Sequence, residues 1–225
     1  MVPLLNMAGL LLYAATAARA AKIACVGDSI TYGSTASDPF KTAFPAWLFQ
    51  SALAGSDDHE VVNFGVSGAT MMKEGDKPYW LEPQFEQAIS WEPDVVLIQL
   101  GTNDAKTYQW DEDAYVSAYV EMINEFVSPT NPPKIYISIP PPLYTDGVYE
   151  MDQQVINERL PVLIPSIAAS NANVTGVVDV FNAMGGAGLT KYELFCNLQS
   201  CDECHPNDLG YSLMATVFYK AVFLS

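Results

Sequence analysis

The run Val95-Val96-Leu97-Ile98-Gln99-Leu100 decides the fold, and the polar residues Gly101-Thr102-Asn103-Asp104 follow it directly. A short, largely apolar run with β-branched residues is typical of a parallel strand that is covered on both faces. Four more runs have the same character, namely Ile23 to Val26, Val61 to Phe64, Ile135 to Ile139 and Val177 to Val180. Because helical patterns separate these runs, the sequence predicts one α/β domain of βαβ type.

Three helical patterns accompany the strand-like runs. The first follows Asp111, a suitable N-cap, and its apolar residues recur at helical spacing: Tyr115, Tyr119, Met122, Ile123 and Phe126. The second spans about Gln153 to Ala169, where Pro161 and Pro165 predict a kink or an interruption. The third begins near Asn207 and is expected to bury its apolar residues, which are Leu209, Leu213, Met214, Val217 and Phe218.

The composition limits the classes of partner. Of 225 residues, 50% are hydrophobic and 16% are charged, which is typical of a folded domain with a proper core and not of a disordered chain. Acidic residues outnumber basic ones by 26 to 10, which gives a net charge of −16. This charge repels nucleic-acid phosphates and slows the approach to anionic membranes or polyanionic substrates. We therefore expect no nucleic-acid partner and a neutral substrate.

The first twenty residues differ from the rest. Leu4 to Ala18 is apolar, and Ala18-Arg19-Ala20 fits a small-residue cleavage site. These features predict a signal peptide over residues 1–20, a mature domain over 21–225 and a secreted or extracytoplasmic location. The apolar run is shorter than the ~20 residues of a membrane span, so no membrane insertion is expected after cleavage. No Lys or Arg precedes Leu4, which leaves a non-native leader or an amphiphilic anchor as the alternative.

The cysteines form two groups. Cys25 lies in the first strand-like run and is expected to be a small buried residue. Cys196, Cys201 and Cys204 lie close together near the end of the chain, and in an oxidising compartment we expect two of the three to pair. In a protein secreted by a eukaryote, Asn173-Val174-Thr175 would be a glycosylation sequon.

Polar residues at the ends of three strands suggest a nucleophile and an oxyanion hole. In open parallel sheets the ligand crevice lies beyond the carboxyl ends of the strands, and Ser29, Gly65 and Asn103 each follow such an end. Ser29 at a helix N-terminus can attack an acyl carbon, while its own N–H, the Gly65 N–H and the Asn103 amide stabilise the oxyanion. Each residue taken alone is equally typical of a helix cap or a turn.

One of the two histidines is a candidate general base. His59 lies in the acidic run Asp57-Asp58-His59-Glu60 and is expected to be a solvated loop residue. His205 follows Asp202 by three positions, so the carboxylate can bond Nδ1 and leave Nε2 to take a proton from Ser29. The predicted triad is Ser29, His205 and Asp202. The alternative is that Asp202 is an ordinary turn residue.

Three other motifs compete with this interpretation. Gly65-Val66-Ser67-Gly68-Ala69 nearly matches a nucleophile elbow, with Ser67 as the nucleophile, but it ends in alanine. Residues 201–205 match a c-type haem attachment pattern, and Cys196, Cys201, Cys204 and His205 have tolerable spacing for zinc. However, adjacent Cys204 and His205 would struggle to bind one ion, and such a site would consume the predicted base. We therefore expect no metal and no cofactor.

Four segments together resemble the four blocks of the SGNH (GDSL-type) hydrolases. They are Gly27-Asp28-Ser29-Ile30-Thr31, Asn63-Phe64-Gly65, Gly101-Thr102-Asn103-Asp104 and Asp202-Glu203-Cys204-His205-Pro206. The resemblance implies a flavodoxin-like, three-layer α/β/α fold with a five-stranded parallel sheet and no metal. It also implies the same roles for Ser29, Gly65, Asn103 and His205, with Asp202 as the triad acid. The flanking residues 65–70, 75–80 and 100–105 look most like carbohydrate and sialate O-acetylesterases.

The expected activity is hydrolysis of small acyl esters, principally acetyl, on a neutral small molecule or glycan. Aromatic rings able to stack on sugars lie in the loops beyond the strands: Tyr79, Trp80, Tyr108, Trp110, Tyr144 and Tyr149. Among these, Tyr79, Trp80 and Trp110 are the candidate substrate-binding residues. A lysophospholipase or thioesterase of the same family is the alternative activity, and a non-catalytic carbohydrate-binding module is a third interpretation.

Overall fold

A five-stranded parallel sheet forms the centre of the structure, a computed structural model that describes residues 20–54, 59–198 and 200–224. The strands are β1 (Lys22–Gly27), β2 (Glu60–Gly65), β3 (Val95–Gln99), β4 (Lys134–Ile139) and β5 (Val174–Asp179). Their spatial order is β2-β1-β3-β4-β5, which is the flavodoxin-like order. The predicted α/β fold with five parallel strands is confirmed. The predicted signal peptide lies outside the described residues, apart from Ala20.

Helices cover both faces of this sheet. They are α1 (Ser29–Tyr32), α2 (Pro39–Thr42), α3 (Phe44–Ala54), α4 (Pro83–Ser90), α5 (Glu112–Glu125), α6 (Leu160–Ser170), α7 (Val180–Ala183) and α8 (Asp208–Phe223). Alternate strand residues point to opposite faces, so Ala24 and Val26 pack with α4, α5 and α6, while Ile23 and Cys25 pack with α3 and α8. Two cores, one on each side of the sheet, complete the three layers. No helix among the described residues is long and apolar enough to cross a membrane.

Short helical turns occupy several of the connections. Three-residue 3₁₀ turns are found at Tyr79–Leu81, Val148–Glu150, Gly186–Gly188 and Tyr192–Leu194. A π-helical turn, Val155–Arg159, leads directly into α6. Pro161 directly follows the π turn within a continuous stretch of helix, so its missing N–H removes one intrahelical hydrogen bond there, and Pro165 lies inside α6. The predicted interruption is therefore a local π turn at the start of the helix and not a break.

The predicted N-cap of α5 and the predicted start of α8 are confirmed. Asp111 accepts a hydrogen bond from Ala114 N at 2.9 Å at the start of α5. Asn207 accepts from Leu209 N and Gly210 N at the start of α8. The burial expected for Leu209 is wrong, because its side chain is 61% exposed in the first turn of α8, before the helix packs on the sheet.

The expected environment of His59 is also wrong. The residue directly precedes β2 and its side chain is buried. Its Nδ1 accepts a hydrogen bond from Ala21 N at 3.0 Å, and its ring packs 5.0 Å from the ring of Phe223. The surrounding acidic residues suggested a solvated loop, but the start of β1 and the end of α8 cover this position.

Candidate active site

The end of β1 places Ser29 at the start of a helix. Asp28 caps α1 by accepting a hydrogen bond from Ile30 N at 2.9 Å, and Ser29 is the first helical residue. The N–H at this position has no intrahelical acceptor and is free for a ligand. A side chain at Gly27 would place Cβ 2.1 Å from Thr31 Oγ1 and 2.5 Å from Gln99 O, so the turn requires glycine here.

Ser29, His205 and Asp202 form a continuous chain of hydrogen bonds. Ser29 Oγ lies 2.8 Å from His205 Nε2, and His205 Nδ1 lies 2.6 Å from Asp202 Oδ2. The other carboxylate oxygen, Oδ1, accepts from His205 N at 2.8 Å and from Cys204 N at 3.1 Å. The structure thus brings together the three side chains that the sequence proposed as a triad.

The state of Asp202 determines which nitrogen of His205 carries a proton. Burial opposes the charged form of this carboxyl, but the hydrogen bonds from the His205 ring and from the backbone outweigh it and lower the pKa of Asp202 to about 2. An ionised carboxylate can only accept hydrogen bonds, so Nδ1 is the donor to Asp202. In neutral His205, Nε2 then has a lone pair available to the Ser29 hydroxyl.

The loop that carries Asp202 is held by several contacts. Cys196 and Cys201 form a disulfide immediately before it, and Cys204 is a buried free thiol. Glu203 adopts a left-handed φ of 62°, with its carbonyl bonded to Tyr144 N at 3.1 Å. The expectation of one pair among three cysteines is met by Cys196 and Cys201. Because Cys201 is in this disulfide, its sulfur is not available for the haem or zinc patterns.

One of the two side-chain amide hydrogens of Asn103 holds the side chain in place. Its Nδ2 donates to Ala69 O at 3.0 Å, and its backbone carbonyl accepts from Gln109 Nε2 at 2.8 Å. The next residue, Asp104, is fully buried and accepts from Met71 N at 2.9 Å and Met72 N at 2.7 Å. These bonds join the loop after β3 to the loop after β2 and leave the second Asn103 Nδ2–H for a ligand.

Gly65, which the sequence assigned to the oxyanion hole, does not lie in the cleft. It is the last residue of β2, its N–H donates to Asn63 Oδ1 at 2.9 Å, and an added Cβ would lie 2.2 Å from Tyr32 N. Gly68, further along the same loop, lines the cleft with a φ of 82°. Among the described residues no acceptor is bonded to the Gly68 N–H. Gly68 therefore replaces Gly65 as the candidate donor.

Two further carboxyl groups are buried beneath the site. Burial raises the pKa of Asp28 to about 6, although the Ile30 N–H and the nearby His205 oppose this shift. Burial also raises the pKa of Asp104 to about 7, and the charge of Asp28 adds to that shift. Asp28 Oδ2 is buried without a hydrogen-bond partner in the described part of the chain. Ionisation of either carboxyl group is therefore less favourable in the folded protein than in the unfolded chain.

An open cleft of about 480 Å³ surrounds the Ser29 hydroxyl. Its lining residues are Ser29, Ser34, Thr35, Ser67, Gly68, Asn103, Lys106, Tyr149, Glu150, Met151, Asp202 and His205. Lys106 at its edge pairs with Asp76 at 2.5 Å. Ser67 Oγ, the alternative nucleophile, lies 3.3 Å from Ser34 Oγ, whereas the base, His205 Nε2, is bonded to Ser29.

Most of the predicted aromatic residues lie outside this cleft. Tyr79 is fully buried and donates to Phe64 O at 2.7 Å, so its assignment to substrate binding is wrong. Trp80 is partly buried and donates from Nε1 to Met71 O at 2.8 Å, while Trp110 packs 5.3 Å from the Tyr115 ring.

The remaining three predicted rings divide in the same way. Tyr144 is buried and donates to Met184 O at 3.0 Å, and Tyr108 is exposed and bonded to Asp76 at 2.9 Å. Tyr149 lies at the cleft itself.

The predicted sequon residue Asn173 is exposed in the turn before β5, where its Nδ2 donates to Asn124 Oδ1 at 3.2 Å.

Comparison with known proteins identifies the family. Residues 25–213 match the GDSL-like lipase/acylhydrolase family, so the chain belongs to this family of carboxylic ester hydrolases. An acetylxylan esterase from Xylanibacter ruminicola is 29% identical over 224 residues, which cover 90% of this chain. The match covers 43% of that relative, so this chain spans less than half of its length.

Solved structures share the fold. A lipase/acylhydrolase from Enterococcus faecalis has a TM-score of 0.69 at 23% identity, with 90% of this chain and 95% of the other covered. An acetylxylan esterase from Geobacillus stearothermophilus has a TM-score of 0.68 at 20% identity, with 92% and 96% covered. A putative arylesterase from Agrobacterium tumefaciens has a TM-score of 0.67 at 20% identity, with 90% and 98% covered.

Proposed function

We propose that this protein is a serine esterase that removes acetyl and other small acyl groups from a neutral carbohydrate through a covalent acyl-enzyme. The observation that carries the proposal is the hydrogen-bond chain from Ser29 through His205 to Asp202, with its serine end at an open cleft. Three N–H donors at this cleft have no acceptor among the described residues: the Ser29 N–H, the Gly68 N–H and the second Asn103 Nδ2–H. This is the set of groups that acyl transfer requires.

The reaction follows from these positions. His205 Nε2 takes the proton of the Ser29 hydroxyl as Oγ bonds to the ester carbonyl carbon, and the carbonyl oxygen becomes an oxyanion stabilised by the three donors. When the tetrahedral intermediate collapses, the bond to the leaving alcohol breaks and His205 returns the proton to that oxygen. Water then attacks the acyl-serine by the same route and releases the carboxylic acid. Ionised Asp202 stabilises the imidazolium in both steps.

Two observations support a neutral, acetylated carbohydrate as substrate. The net charge of −16 disfavours anionic substrates, and the relative from Xylanibacter ruminicola is an acetylxylan esterase. A secreted location is part of the proposal. The apolar residues 4–18, the Cys196–Cys201 disulfide and the exposed Asn173 are consistent with an oxidising, extracytoplasmic compartment.

A substrate panel tests the proposal. Purified protein should release acetate from acetylated xylan and hydrolyse p-nitrophenyl acetate, while p-nitrophenyl octanoate, lysophosphatidylcholine and an acyl-CoA thioester should react far more slowly. Rates that rise with acyl length would favour the lysophospholipase alternative, and preference for the thioester would favour the thioesterase. Binding of xylan without turnover of any ester would show a carbohydrate-binding module.

A further inference from the structure

Tyr149 is the aromatic residue that contacts the candidate triad directly. Its hydroxyl donates to Asp202 Oδ2 at 3.0 Å, and its ring meets the His205 ring edge-on, with centroids 5.6 Å apart at 66°. Its side chain is half exposed and lines the cleft. This position differs from that of a ring lying flat along an open sugar-binding surface, because its polar end is already committed to the carboxylate.

An unusual backbone segment holds Tyr149 in this place. We call residues 147–151 the strap. Within it Tyr149 and Glu150 both have left-handed φ values, 52° and 63°, which non-glycine residues adopt only when the surroundings enforce them. The Glu150 carbonyl accepts from Thr107 N at 3.0 Å, and Lys106 and Met151 form an antiparallel bridge. The strap is therefore anchored to the loop that follows Asn103.

The hydroxyl completes the set of donors around Asp202. Oδ1 accepts two backbone N–H groups, and Oδ2 accepts from His205 Nδ1 at 2.6 Å and from Tyr149 Oη at 3.0 Å. With donors on both oxygens, rotation of the carboxylate would break more than one bond. Burial and the charge of Asp202 raise the pKa of Tyr149, so the hydroxyl stays a donor at neutral pH.

We propose that Tyr149 is a positioning residue whose hydroxyl locks the Asp202 carboxylate toward His205. This inference rests on the proposed esterase function, because it assigns Tyr149 a part in the same site. The hydroxyl acts through Asp202 and not on the substrate. Its removal should therefore lower kcat and leave KM for a small ester nearly unchanged.

The test compares two Tyr→Phe variants. With p-nitrophenyl acetate, Tyr149→Phe should lower kcat about tenfold, which corresponds to ~1.4 kcal/mol. Tyr108→Phe is the matched control, since Tyr108 is also exposed and also donates to a carboxylate, Asp76, but lies outside the cleft lining. Its kcat should stay near that of wild type. An equal fall in both variants, or a fall in neither, would overturn the proposal.

A double-mutant cycle separates positioning from substrate contact. In an Asp202→Asn background, Tyr149→Phe should have little further effect on kcat, since the carboxylate it orients is gone. A full tenfold loss in that background, or a raised KM, would show that the hydroxyl contacts the substrate instead.

A third measurement does not depend on activity. The downfield proton resonance of His205 Nδ1–H should move in Tyr149→Phe and stay in place in Tyr108→Phe, and an unmoved resonance in Tyr149→Phe would overturn the inference. Failure of the esterase function itself has a different signature, namely that the wild-type protein hydrolyses none of the esters in the panel.

Discussion

Asn103 Nδ2 donates to the Ala69 carbonyl over 3.0 Å, and this bond turns a flexible amide into a fixed donor. Ala69 directly follows Gly68, so the same bond sets the separation of the two loops that supply candidate oxyanion donors. Asp104 strengthens the link by accepting from Met71 N and Met72 N. In the proposed mechanism the oxyanion hole is therefore formed where these two loops are bonded together, so its donors are in place before any substrate binds.

Replacing Asn103 should affect the transition state more than substrate binding. Asn103→Ala removes one donor to the oxyanion and should lower kcat by about 10²–10³-fold, with KM changed little. Steady-state kinetics with p-nitrophenyl acetate measure both. An increase in KM at unchanged kcat would indicate that Asn103 binds the ground state of the substrate instead.

The two serines in the cleft can be distinguished directly. Ser29→Ala removes the proposed nucleophile and should lower kcat by ~10³-fold or more, because the remaining triad members act only through it. Ser67→Ala is the matched control, since Ser67 lies in the same cleft and is bonded to Ser34. It should retain activity within about threefold, as for other surface substitutions. The reverse pattern would assign the nucleophile to Ser67.

Gly65 and Gly68 should respond differently to alanine. A Cβ at Gly65 would lie 2.2 Å from Tyr32 N, a backbone atom, so Gly65→Ala should destabilise the protein by about 1–3 kcal/mol or prevent folding. At Gly68 the nearest atom is Lys77 Cδ at 3.6 Å, but φ is 82°. Gly68→Ala should therefore fold, with a strained loop, a displaced N–H and a markedly lower kcat. Thermal unfolding and kinetics on both variants check this, and a stable, inactive Gly65→Ala would restore Gly65 as the donor.

The buried carboxyl of Asp28 predicts a pH dependence of stability. Its pKa is raised to about 6 in the folded protein, against ~3.9 for a free aspartate. A raised acid pKa means that folding favours the protonated form, so this group makes the protein less stable as pH rises from about 4 to about 6. Asp28→Asn can keep the bond to Ile30 N. The difference of about two between these pKa values corresponds to ~3 kcal/mol, so the variant should raise Tm by about 6–12 °C at pH 8 and have little effect at pH 4.

Asp38 provides the control for this measurement. It caps α2 through the same kind of bond, to Phe40 N at 3.1 Å, but its side chain is partly exposed and the hydrogen bond from Lys41 lowers the pKa of its carboxyl. At neither pH 4 nor pH 8 should Asp38→Asn raise the Tm above that of the wild-type protein. If the two variants behave alike, the effect belongs to helix capping and not to the buried charge.

The parts of this structure that were predictable are those set by local pattern. Each apolar run became a strand because burial on both faces of a parallel sheet selects such runs. The chain placed Asp202 three residues before His205, and the structure joins them at 2.6 Å because that spacing closes a single turn. Elimination between two histidines selected His205 as the candidate base, and the structure places its Nε2 2.8 Å from Ser29 Oγ.

The errors arose where several elements meet. Gly65 was chosen because it directly follows the predicted strand, but the last strand residue is committed to the sheet, and the donor must come from the loop beyond it. The left-handed φ of Gly68 could not be read from the sequence directly. The feature that indicated it was the second glycine in Gly65-Val66-Ser67-Gly68. Tyr79 was misplaced because its hydroxyl bonds to Phe64 O and its ring packs near Phe85, and His59 because the distant helix α8 covers it. The positioning contact of Tyr149 depends on the left-handed strap, which has no apolar pattern.

Ser29 and His205 lie 176 residues apart in sequence, although their side chains are 2.8 Å apart in the folded protein. The proposed nucleophile is made early in synthesis, while its proposed base comes just before α8, which must also emerge from the ribosome before it can dock. Under the proposed mechanism the serine hydroxyl has no proton acceptor until then. Hydrolytic competence would therefore arise only after synthesis has passed α8.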